Sequence, residues 1–138
     1  MNDTPDFERW LYDELARTVY GLYPGAYVTN DDRVVKPASF PAVSIVETGN
    51  AEVDYMRDSS GQENAVSHGF TINVFSNSES MGRSQCKEIA AALDAVMRKW
   101  NFRRTMSRPL DNAADPSIYR YVTRYSGITD KYGNTYWK

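Results

Sequence analysis

The most regular alternation in the chain lies between Val66 and Ser76. Val66, His68, Phe70, Ile72 and Val74 share one parity and Ser67, Gly69, Thr71 and Asn73 the other, so a pleated strand here carries an apolar face and a polar, wetter one. The period then changes. Cys86, Ile89, Ala90, Leu93, Met97 and Trp100 recur at three- and four-residue steps, the spacing of one helical stripe. Ser76-Asn77-Ser78-Glu79 fits a capping box, and Arg98 and Lys99 sit where a helix dipole favours cations, which predicts a helix over about 78–100. The strand's apolar face is the nearest partner for that stripe.

The same reading extends outward. Thr4-Pro5 suits a helix start, and Phe7, Trp10, Leu11, Leu15 and Val19 form a stripe, predicting a helix over about 5–20 that stops near Tyr23-Pro24-Gly25. Ala26 to Thr29 fits a short strand, Asn30-Asp31-Asp32 a turn, and Arg33 to Lys36 stays unassigned. Further strands are expected near 42–48, ended by Thr48-Gly49-Asn50, and near 51–57, 65–76, 102–109 and 117–126. Ser59 to Asn64 reads as a polar loop, inert or reaching a neighbouring subunit, and Asp111 to Pro116 as a turn. Gly127 to Trp137 reads as a glycine turn and aromatics that dock as a last short pairing or face a partner. Together these predict a single α+β domain over 1–138, a mostly antiparallel or mixed sheet flanked by an N-terminal helix and one long central helix.

Composition changes this picture little. Hydrophobic residues at 41% and charged residues at 25% are those of a soluble globular domain, and no window approaches the roughly 20 apolar residues of a membrane span. The acidic, polar N-terminus does not resemble a secretory signal, so synthesis in the cytoplasm is expected. Charge changes it more. The net charge is −2, yet residues 1–76 hold 5 Lys and Arg against 12 Asp and Glu, a net −7, and the remainder 11 against 6, a net +5. If the halves segregate in space, copies attract head to tail; if they interleave, the fields cancel.

Candidate chemistry is sparse. His68, the one histidine, lies on the apolar parity, where a hydrogen-bonded core or core-edge histidine is the default. Cys86 falls on the helix stripe and reads as a buried small hydrophobe. No Cys or His cluster has metal-ligand spacing, Asp31-Asp32 with Asp54 or Asp58 is too scattered for a divalent cation, and Gly21, Gly25 and Gly82 do not form a phosphate loop. No enzyme, metal or cofactor is therefore expected. One weave of basic and aromatic residues, Arg103, Arg104, Arg108, Tyr119, Arg120, Tyr121, Arg124 and Tyr125, suits a sheet that stacks bases and pairs phosphates. A pI near 5.4 argues against that use, and pairing of these arginines with acidic residues of the N-terminal half, within a subunit or across an interface, is the preferred reading.

Four segments taken in order carry a resemblance: Phe40 to Glu47, His68 to Ser76 running into Asn77-Ser78, the helix with Gly82 and Lys87-Glu88-Ile89, and Asp115 to Arg120. From Phe40 to Tyr125 the chain resembles the tail-terminator and tail-completion (head-tail joining) proteins of long-tailed bacteriophages. That resemblance implies a virion structural protein of the tail or neck, made in the host bacterial cytoplasm and assembling with itself as a ring, usually a hexamer. Such a ring ends tail-tube polymerisation, binds the tail-tube protein and meets a head-connector or stopper protein, with DNA passing through its lumen without sequence-specific binding. It implies no catalytic residues and no membrane. The expected subunit interface sets Glu52, Asp54 and Asp58 against Arg103, Arg104 and Arg108 of the next copy, with Arg120 and Arg124 nearby. Alternatives are a nucleic-acid-binding module using the Arg/Tyr sheet face, or another neck or head-completion protein.

Overall fold

The computed structural model describes residues 7–30, 37–52, 65–110, 117–130 and 135–136. In order these form α1 (Phe7–Leu22), β1 (Tyr27–Thr29), β2 (Ala42–Glu52), β3 (Ala65–Ser76), α2 (Gly82–Lys99), β4 (Arg103–Leu110), β5 (Tyr119–Asp130) and β6 (Thr135–Tyr136). One mixed sheet runs β1-β2-β3-β5-β4, with β6 paired to β5; β1 and β2 are parallel and every other pairing is antiparallel. The α+β class is as expected, and the strand carrying His68 is central. The expected Thr4-Pro5 helix start, the end of the Asn30-Asp31-Asp32 turn, the Ser59 to Asn64 loop and the Asp111 to Pro116 turn lie outside the described residues.

Both helices seat on one face of the sheet. Leu11, Leu15 and Val19 of α1 and Cys86, Ile89, Leu93 and Met97 of α2 form one buried cluster with Val43, Ile45, Phe70, Ile72, Val74 and Tyr125. A fully buried aliphatic side chain is worth about 1.5–3 kcal/mol, so this face holds most of the stabilising burial. Trp10 meets Trp100 edge to face at 4.4 Å, and the Tyr12 hydroxyl donates to the Val28 carbonyl at 3.1 Å, tying α1 to α2 and to β1. The other face is drier than its polar sequence suggests, since Ser44, Asn73, Val122 and Ile128 are buried there.

Three boundaries differ from the pattern reading. Helix α2 begins at Gly82, with Met81 as cap residue and no side-chain cap bond. Ser78 instead closes a turn, its Oγ accepting from the Met81 amide at 3.1 Å, while Ser76 Oγ turns to the Gln85 side chain. Gly82 lets the helix start close onto β5, where a Cβ would stand 3.3 Å from that of Tyr119. Strand β2 does not end at Thr48-Gly49-Asn50; a bulge between Glu47 and Gly49 absorbs the irregularity and pairing continues to Glu52. The expected separate strand at 51–57 is thus, over Ala51 and Glu52, the end of β2, and its remainder lies outside the described residues. Strand β5 likewise passes through Gly127, which is no turn: the Phe102 ring lies 2.9 Å from where a Cβ would sit.

The end of α2 explains how Phe102 gets there. Trp100 is the C-cap, Asn101 adopts φ 63, the Phe102 amide donates to the Met97 carbonyl at 2.9 Å and the Asn101 amide to Arg98 at 3.0 Å. This pair of hydrogen bonds around a left-handed residue is the Schellman motif, and it swings Phe102 under the helix against Phe70, with ring centroids 5.6 Å apart. Strand β4 leaves from that anchor.

Candidate interaction surface

Paired residues in an antiparallel sheet point to the same side, so register divides the basic and aromatic weave. Tyr119, Tyr121 and Tyr125 pair with Ser76, Val74 and Phe70 and therefore lie on the helix side. Arg120 and Arg124, paired with Phe75 and Thr71, lie on the other. Strand β4 adds a bulge between Arg104 and Met106, so Arg103 pairs with Ser126, Arg104 with Tyr125 and Arg108 with Val122. The bulge sends Arg103 and Arg108 to the face of Arg120 and Arg124, and leaves Arg104 with the tyrosines. A surface interleaving all eight side chains, as base stacking needs, does not form. The tyrosines are committed inward: Tyr125 is 2% exposed, and Tyr121 shares a 2.8 Å hydrogen bond with Ser107.

The arginine face is sorted in a second way. Strands β1, β2 and β3 come from the acidic half of the chain and lie together, while β5 and β4 come from the basic half and form the opposite side of the sheet. Arg103, Arg104, Arg108, Arg120 and Arg124 all stand on those two strands, and Asp130 at the end of β5 is their one acidic residue. Arg103, Arg108 and Arg124 are exposed, and Arg120 is half-buried with its Nε donating to Asn73 Oδ1 at 3.0 Å.

Arg104 belongs to a network centred on Asp94 of α2. Asp94 Oδ1 accepts from the Tyr125 hydroxyl at 2.7 Å and lies 3.5 Å from the Arg104 guanidinium, while Oδ2 accepts from Arg98 Nε at 2.7 Å. Burial pushes the Asp94 carboxyl up, but the bonds from Arg98 and Tyr125 and the charges of Arg104 and Arg98 outweigh it and hold it below the usual carboxylate range. Burial, then the Asp94 bond, raises Tyr125. Within the subunit, among the described residues, Arg104 thus pairs with the basic half's own Asp94. Pattern reading missed Asp94, although its place one position after buried Leu93 marks it as a helix-edge acid.

Of the acidic residues expected at an interface, Glu52 pairs in register with Val66 at the end of β2; Asp54 and Asp58 lie outside the described residues. His68 is a core-edge histidine, 6% exposed, with Nδ1 2.8 Å from Glu47 Oε2 and its ring stacked on Phe70. Burial pushes the Cys86 thiol up to about 12, far from a nucleophile's range. Among the described residues no three His, Cys, Asp or Glu side chains gather as metal ligands, and no helix is long and apolar enough to cross a membrane.

No protein-family model and no curated protein matches this chain.

Proposed function

We propose that this chain is a structural subunit of a phage virion, assembling head to tail into a ring at the head-proximal end of the tail. Six copies is the number that the resemblance implies. The ring ends tail-tube polymerisation and joins the tail to the head connector, and DNA passes through its lumen unread.

The observation that carries this reading is the lateral sorting of the sheet, with five arginines on β4 and β5 and the strands of the acidic half on the far side. A subunit with two unlike flanks favours contacts between different surfaces of neighbouring copies, and such heterologous contacts close into rings when the rotation permits. The division of arginines from tyrosines supports the same choice, because phosphate and base contacts to a single strand need both on one surface.

Adding the purified protein to growing cognate tail tubes tests this. Extension should stop, with the protein bound at one end of each tube. Tubes that lengthen at an unchanged rate, with no protein at either end, would refute it.

A further inference from the structure

Between the outer flank of α2 and strand β4 lies a cleft of about 260 Å³. Ala90 and Ala91 keep the helix wall low, and the hydrogen-bonded hydroxyls of Ser107 and Tyr121 line the sheet side. Lys87 and Arg104 supply its charge. Arg104 is 42% exposed and turned only partly toward Asp94, whose own charge is balanced by Arg98 at 2.7 Å. Helix α2 and β5 run alongside each other: Gly82 abuts Tyr119, and twelve residues on Asp94 meets Tyr125. Lys87 therefore stands near the level of Tyr121 and Arg104 at that of Tyr125, four strand positions or about 13 Å apart. A narrow trough with cations so spaced, low apolar walls and one hydroxyl of the Ser107–Tyr121 pair left to donate suits an extended polypeptide bearing carboxylates.

We infer that this cleft seats the acidic stretch 52–63 of a second copy of the chain. That stretch carries Glu52, Asp54, Asp58 and Glu63 against a single Arg57. Asp54 and Asp58 are four residues apart, about 13 Å when extended, and match the separation of Lys87 and Arg104. A neighbour is the better donor than the same chain. The stretch leaves β2 at Glu52 and returns at Ala65, which pairs with Asp130, whereas Tyr121 lies nine positions back along β5, about 30 Å away. The inference rests on the ring assembly proposed above, and specifies which two surfaces of adjacent subunits meet.

Charge reversal on each side tests it. One variant carries Lys87→Glu with Arg104→Glu, the other Asp54→Lys with Asp58→Lys; Lys87→Glu alone serves as a milder form that leaves the Asp94 network untouched. Assembly is read by sedimentation, alone and on cognate tail tubes, with circular dichroism confirming the fold. Each double variant should need at least about tenfold more protein for half-assembly, and an equimolar mixture of the two, which restores opposite charges at every junction, should recover it. Lys87→Glu alone should show a smaller shift in the same direction. Folded variants that assemble like wild type, or a mixture no better than its components, overturn the inference while leaving the ring intact. A wild-type chain that stays monomeric even with tubes removes the ring reading itself, and this inference with it.

Discussion

Replacing Asp94 by alanine should destabilise the protein more than removing the tyrosine hydroxyl bound to it. Tyr125 is nearly fully buried, so Asp94→Ala leaves a phenol without its acceptor; losing a hydrogen bond to a charged group and stranding its partner costs about 1.5–3 kcal/mol. Arg98 is largely exposed, so its pair adds little. The total is about 1.5–3 kcal/mol. Tyr125→Phe removes the donor cleanly and leaves Asp94 with Arg98 and Arg104, so it should cost about 1 kcal/mol. The double variant should then fall short of additivity by about 1 kcal/mol. Urea unfolding of the four proteins measures this directly, provided the slope is unchanged. Equal losses from the two single variants, or strict additivity, would refute the placement of Asp94 as the pin between α2, β5 and β4.

Three further outcomes follow from the packing. Because the folded Asp94 carboxyl titrates below its unfolded value near about 3.9, its stabilisation is complete above that pH and lost as pH falls through the lower folded value; Asp94→Asn should flatten that part of an acid-unfolding curve. Gly127→Ala drives a Cβ into the Phe102 ring and should cost about 1–3 kcal/mol, relieved in part by Phe102→Leu, as thermal melts would record. Asn101→Ala should destabilise the Schellman turn by up to about 1 kcal/mol in the same assay, whereas Asn101→Gly should not, since glycine adopts φ 63 without strain.

The core was legible where a single period ran unbroken. The alternation from His68 to Val74 and the stripe from Cys86 to Met97 gave the central strand, the long helix and their contact, because burial on one face requires that spacing. Legibility failed where one residue broke the count. The bulge after Glu47 kept β2 going past a glycine that looked like a stop, and the bulge after Arg104 reversed which arginines share a face. Strict alternation groups Arg104 with Arg108 and isolates Arg103; the observed register does the opposite. The capping signal at Ser76 failed because the helix starts only at Gly82; the Ser76 hydroxyl accepts from the Ser78 amide at 3.3 Å and donates to the Gln85 side chain, a contact between residues nine apart that no local pattern encodes. Sheet order was also beyond the pattern, and it is what gathers the arginine-bearing β4 and β5 on one side of β3.

The central claim is that the two unlike flanks of this subunit meet in a closed ring. Class-averaged images of the purified protein, alone and on cognate tail tubes, test it most directly. The account requires closed rings, at least at tube ends, and a mass that is a fixed multiple of 15.7 kDa. Particles that remain single subunits under both conditions would contradict it.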